Sequence, residues 1–178
     1  MADQEQGQEH EHKREEERRS ARKPCGASRS IMTQLIFPQD TNHHGTMFGG
    51  KVMEYIDKLA AIAGMRHAQG QVVTASSDSL DFLAPIRLGE VIEVEAFVTW
   101  THKSSMEIYV KVQSENLYSG ERRTTVTSFL TFVALDASGK PTPVPEVYPE
   151  TDEEKRLHAS APERYALRVQ RKRGRGRE

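Results

Sequence analysis

The chain has 178 residues, 29% charged and 36% hydrophobic, which suits one domain with a real core and is too short for two comfortable ones. A single cysteine, Cys25, excludes an internal disulfide and a cysteine-based metal site, and no run approaches the roughly 18 consecutive apolar residues of a membrane span. Charge gathers at the ends, leaving residues 31–150 with fourteen acids against nine bases, an acidic centre that does not advertise nucleic-acid binding.

The opening MADQEQGQEHEHKREEERRSARKPCGAS, residues 1–28, is dense in Glu, Gln and Arg and cannot bury enough apolar surface to offset ordering entropy, so a disordered tail is expected. It lacks the basic-then-apolar pattern of a secretory leader, which with the lone cysteine predicts a cytoplasmic protein. His10 and His12 lie among acids with no third ligand near, and no metal role is assigned to them. SIMTQLIF, 30–37, reads as a strand ended by Pro38, and PQDTNHHG as a loop of turn-forming residues.

From Gly49 or Gly50 the periodicity becomes helical. Val52, Met53, Ile56, Leu59, Ala60, Ala63 and His67 fall on one arc, while Tyr55, Ile62 and Met65 occupy much of the rest, so the helix needs cover on nearly every side. Glu54 and Lys58 mark one solvent strip, Asp57 stands at the margin of the apolar arc, and Gly70 is the expected stop. Residues 72–86 read as a long strand, bent or bulged among Ser and Asp. In VIEVEAFVTWTH the residues Ile92, Val94, Ala96, Val98 and Trp100 alternate with Glu93, Glu95 and Thr99, as in a half-exposed strand. SMEIYVKVQSE repeats this, with Glu107, Lys111 and Gln113 outward. TTVTSFLTFVALD, 124–136, is apolar enough to be central in a sheet. Pro-rich 141–150 is expected to lie extended on the surface or across a partner, 151–165 to form a short helix limited by Pro162, and the basic end to be disordered.

One strand, a long helix and about four strands in succession predict an α+β fold, an antiparallel sheet wrapped around a central helix. That order, with FGGKVMEYIDKLAAIAG, SLDFLAPIRLGEVIEV and FLTFVALDASGKPTPVP, resembles the hotdog-fold acyl-CoA thioesterases, in the branch of the YciA-like and cytosolic acyl-CoA hydrolases. The likeness covers about residues 30–146. The expected organisation is a tail (1–28), a hotdog thioesterase domain (29–148), and a C-terminal short helix with a basic tail (149–178).

The resemblance implies hydrolysis of acyl-CoA to free fatty acid and coenzyme A, without a metal or separate cofactor. It implies a homodimer with sites at the subunit interface, often assembled as a hexamer, and no membrane or nucleic-acid partner. It makes Asp57 the catalytic carboxylate, as general base or nucleophile, faced by the loop carrying Asn42 and by the helix start.

Chemically, thioester hydrolysis needs activated water and a stabilised oxyanion. A positioned carboxylate supplies the first, typically worth about 10²- to 10⁴-fold. The alternative for Asp57 is an acid that simply reaches solvent. Gly49 and Gly50 offer unobstructed N–H groups at a helix N-terminus for the oxyanion, though glycine pairs equally serve close packing. Relatives commonly place an Asn where Asn42 stands, but Thr46 departs from their usual Asp or Asn. His43 and His44 would be the bases of a hotdog dehydratase, although no proline follows them as that branch requires. Phe82 and Leu83 would line the acyl tunnel or be plain core. Lys103, Ser104, Arg122 and Arg123 are candidates to bind coenzyme A, or else ordinary surface groups. A noncatalytic acyl-CoA-binding regulator is the alternative from another class, and RKRGRGR leaves a compositional case for nucleic acid.

Overall fold

The computed structural model describes residues 21–175. In chain order these form β1 (Arg22–Pro24), β2 (Ser30–Leu35), α1 (Gly49–Ala68), β3 (Gln71–Phe82), β4 (Val91–His102), β5 (Ser105–Glu115), β6 (Arg122–Leu135), β7 (Glu146–Tyr148) and α2 (Asp152–Arg175). Five strands make one antiparallel sheet in the order β2-β4-β5-β6-β3, and β1 pairs with β7 in parallel. The expected α+β arrangement of one helix against a continuous sheet is therefore present. Both β2 and β3 are edge strands.

The inner face follows the alternation. Val52, Ile56, Leu59, Ala60 and Ala63 of α1 share one core with Ile92, Val94, Ala96 and Val98 of β4 and Met106, Ile108, Val110 and Val112 of β5. Helix and sheet approach closely at Gly64, where a Cβ would stand 3.3 Å from the Ile108 Cδ1. His67 is fully buried, its Nε2 2.9 Å from the Pro145 carbonyl. The helix stops at Gln69, which takes the left-handed conformation (φ 51°) expected of Gly70. The predicted bulging of β3 is real: the pairing with β6 breaks between Thr74 and Ser76 and again between Ser77 and Ser79, so Ala75 and Asp78 are extra residues.

The outer face differs from expectation. β4 is not half exposed, and Glu107 is 1% exposed rather than outward in water. The cause is α2, which lies over that face and supplies the countercharges. Arg164 grips Glu107 at 2.7 and 3.0 Å, and Arg168 and Arg171 reach Asp78 at 2.6 and 2.8 Å. Arg29 pairs with both Glu95 and Glu154. A bulge between Val98 and Trp100 turns Trp100 to this face as well, against Tyr165 at 5.1 Å.

The same packing corrects the predicted ends. α2 runs through Pro162 to Arg175 instead of stopping short. Proline leaves the His158 carbonyl without its helical donor, but ion pairs fasten the helix on both sides of it, Glu154 to Arg29 before and Arg164 and Arg168 to Glu107 and Asp78 after. Thr151 opens the helix by accepting the Glu154 N–H at 3.2 Å, and the Glu154 carboxylate accepts the Thr151 N–H at 3.1 Å, a capping box. Within the stretch read as a tail, residues 22–28 form β1 and a 3-10 turn, and Cys25 is fully buried. Residues 141–148 are not merely laid on the surface, since Val144 and Val147 are buried. His10 and His12 lie outside the described residues.

Candidate active site

Two clusters emerge along α1. The first surrounds its N-terminus. Met47 is held by the Ile86 carbonyl at 2.8 Å and Phe48 by the Asp40 carbonyl at 3.0 Å, which aims the start of the helix at the loop after β3. No side chain caps α1, so the Gly49 and Gly50 N–H groups keep their capacity to donate. An open cavity of about 440 Å³ lies here, lined by Met47, Gly49, Val52, Phe82, Leu83 and Ile86.

The two glycines are not equivalent. A Cβ on Gly49 would lie 3.3 Å from the Phe82 ring, so this position serves close packing, whereas Gly50 faces open space. Phe82 (53% exposed) and Leu83 (60%) stand at the cavity as apolar groups lacking cover, not as core.

Asn42 borders this cluster through Thr46, which also lines the cavity. Its Nδ2 donates to the Thr46 Oγ1 at 3.0 Å, and its Oδ1 accepts the His44 N–H at 2.9 Å, so Asn42 fixes the turn around Gly45 (φ 72°). Thr46 thus keeps a polar contact, made to Asn42. His43 and His44 are exposed, with their rings 3.8 Å apart, and neither lines the cavity.

The second cluster is Asp57. It is exposed, and its Oδ1 accepts the Thr74 hydroxyl of β3 at 2.8 Å. Gly50, Met53 and Asp57 form one outward stripe at helical spacing, with Met53 47% exposed. At 1.5 Å rise per residue, Asp57 stands roughly 10 Å along the axis from Gly50.

Of the proposed coenzyme A contacts, Arg122 and Arg123 lie at the cavity end of the sheet but are already paired. Arg122 meets Glu115 at 2.6 Å, and Arg123 bridges Glu90 at 2.6 Å and the Pro85 carbonyl at 3.2 Å. Lys103 (φ 52°) and Ser104 sit in the β4–β5 turn at the opposite end, where their carbonyls accept from Val144 and Ala134. Reasoning from sequence missed Thr74, a threonine in a strand that carries no signal until the fold brings it to Asp57. Among the described residues, no group of three or more His, Cys, Asp or Glu could hold a metal, and no helix is long and apolar enough to cross a membrane.

Comparison with known proteins gives this arrangement a context. Residues 44–120 match the thioesterase superfamily model. The chain is 53% identical over 149 residues to an uncharacterized acyl-CoA thioester hydrolase, YkhA, of Bacillus subtilis, covering 84% of this chain and 87% of that protein. It superposes on the crystal structure of an apo-hexameric acyl-CoA thioesterase with a TM-score of 0.83, at 54% identity, covering 85% of this chain and 97% of the other.

An acyl-CoA hydrolase of Staphylococcus aureus, solved with butyryl coenzyme A, coenzyme A and coenzyme A disulfide, aligns with a TM-score of 0.85 at 45% identity, covering 88% and 95% of the two chains. Variants of that enzyme replace an Asn, an Asp and a Thr with alanine, the Asp fifteen residues after the Asn and the Thr seventeen after the Asp. Asn42, Asp57 and Thr74 have those same separations here. With a hydrolase relative covered over most of its length and the matching sheet-and-helix fold, the chain belongs to the acyl-CoA thioester hydrolases of the thioesterase superfamily.

Proposed function

We propose that this protein hydrolyses acyl-CoA thioesters, with Asp57 as base or nucleophile and the α1 N-terminus as oxyanion site. The observation that carries the reading is the Asp57 carboxylate held by Thr74 on an open stripe leading to uncapped helix N–H groups. In the general-base form, water attacks the thioester carbonyl carbon and gives its proton to Asp57. The oxyanion is held by the Gly49 and Gly50 N–H groups, where one well-aimed donor is worth about 3 to 4 kcal/mol. Collapse breaks the C–S bond, and the leaving thiolate recovers the proton from Asp57. Water is the only co-substrate, so the step calls for no cofactor.

In the arrangement that the family resemblance implies, a complete site takes its donors from one copy and its carboxylate from another. Exposed Met53, Ile62 and Met65 of α1 and Val73 on the free edge of β3 give a second copy an apolar surface to cover. A hexamer fits the related hexameric enzyme. The arginines and the β4–β5 turn remain candidates for the coenzyme A phosphates, and a cytoplasmic location fits a lone buried thiol.

The test is thiol release from acyl-CoAs of two to sixteen carbons, by wild type and Asp57→Asn side by side. Asp57→Asn is expected to keep its fold and ligand binding while turnover drops about 10²- to 10⁴-fold. Near-normal turnover would sink the role of Asp57, and no release by wild type from any substrate would leave acyl-CoA binding without hydrolysis.

A further inference from the structure

We propose that α2 sets the geometry of the Asp57–Thr74 pair from the opposite side of the sheet, by clamping the β3 bulge at Asp78. Asp78 and Arg168 are then positioning residues for the hydrolysis, an inference that rests on the reading of Asp57 given above.

β3 is an edge strand whose ladder partner within the chain is β6. That ladder is interrupted twice within a few residues, at Ala75 and at Asp78. Each bulge leaves a residue unpaired and bends the strand, so the ladder alone does not define the path of this segment. The path matters because a one-residue slip exchanges the two faces of a strand. Thr74, opposite Phe132, faces the helix and reaches Asp57, whereas Asp78 turns to the outer face.

What defines the path is the Asp78 carboxylate, which accepts four donors from three elements. Ser76 on β3 donates at 3.1 Å, Thr131 on β6 at 2.9 Å, and Arg168 and Arg171 on α2 at 2.6 and 2.8 Å. The side chains of Asp78 and Arg168 are 5% and 6% exposed, so water does not readily substitute for either partner. Arg168 also stands 3.9 Å from Glu107, which Arg164 already holds, tying the clamp to the centre of the sheet. Asp78 stands four positions after Thr74, and a displacement of about 1 Å in a group distant from the chemistry suffices to cost on the order of 10²-fold.

The experiment uses the full chain in its native assembly and compares Asp78→Asn, Arg168→Gln, Arg168→Lys, Thr74→Val and the double variant Thr74→Val/Asp78→Asn. The readout is kcat and KM for thiol release, taken below each melting point. Asp78→Asn and Arg168→Gln are expected to lose about 10- to 100-fold in kcat with KM within about twofold, and Arg168→Lys to recover part of that loss. The double variant should be no slower than Thr74→Val alone, since the clamp acts through Thr74.

Multiplicative losses in the double variant, or a lowered melting point with wild-type kcat, would overturn the inference and leave the clamp as plain structure. Should Asp78→Asn fail to assemble, the milder and more exposed Arg171→Gln carries the same comparison in wild-type and Thr74→Val backgrounds. Wild-type turnover in Asp57→Asn would remove the underlying reading. Impaired Asp57→Asn and Thr74→Val beside a fully active Asp78→Asn would remove only the clamp.

Discussion

The two faces of the central sheet are built on opposite principles. The inner face meets α1 mainly through Val, Ile, Leu, Met and Ala, where contact depends on shape, with the Thr74–Asp57 hydrogen bond at the sheet's edge. The outer face meets α2 through Glu107, Asp78 and Lys111 against Arg164, Arg168 and Glu153, and through Arg29, which joins Glu95 to Glu154, so contact there depends on each charge finding its partner. Alternation along a strand therefore tells which way a residue points, not whether that side is wet. The apolar face tolerates small misfits by relaxation, whereas the ionic face fails when one member is missing.

That contrast can be broken most severely on the outer face. Arg164→Met leaves the Glu107 carboxylate buried without its main partner and should cost about 4 kcal/mol in urea unfolding at fixed protein concentration. Adding Glu107→Leu should restore much of this loss, because two apolar groups need no partners; no recovery would mean that the pair is not what fastens α2. Second in size, Ile108→Ala on the inner face should cost about 3 kcal/mol by the same measurement, and no second substitution of a charged residue should rescue it.

A smaller effect separates the faces by pH. Burial holds the His67 imidazole below its ordinary range, helped by nearby Lys23 and opposed by the Pro145 carbonyl. The folded chain thus keeps His67 neutral where the unfolded chain protonates it. Stability from this source is fully present above the unfolded value of about 6.5 and is lost as pH falls toward the lower folded one, by at most about 1.4 kcal/mol per pH unit. His67→Gln retains an amide donor for Pro145, so its melting point should fall less than that of wild type between about pH 7.5 and about pH 5.5. Equal slopes would discount His67. The smallest expected effect is at the surface, where Glu54→Gln removes the exposed Lys51 and Lys58 pairs and should leave the unfolding midpoint unmoved.

How much of this was legible in the sequence follows from the same physics. The central helix, the succession of strands along the chain and the inner core could be read from periodicity, which is local; the order of strands in the sheet could not. Asp57 was singled out by the family resemblance, since on periodicity alone it reads as readily as an acid reaching solvent, and the fold leaves it exposed. Thr74 was not, since threonine is an ordinary strand residue and its meaning is a partner seventeen positions away. Pro162 and the charge density of 151–178 argued for a short helix and a loose tail, because the acids that hold α2 lie on β3 and β5. Lys103 and Arg123 matched basic positions wanted near a phosphate. Only the fold shows Arg123 already engaged with Glu90, and Lys103 at the far end of the sheet.

The pairing of β1 with β7 has a consequence for the order in which the chain assembles. Its contacts join residues 124 apart, as between Arg22 and Glu146, so closing it costs more loop entropy than any hairpin in the sheet and belongs late in folding. Cys25 follows β1 directly, and burial, with Glu154 nearby, pushes its thiol up to about 12, so it is unreactive while this clasp is closed. Its alkylation rate is thus a clock for the clasp: labelling faster than global unfolding would time the fraying of that pair alone while the hairpins behind it stay folded.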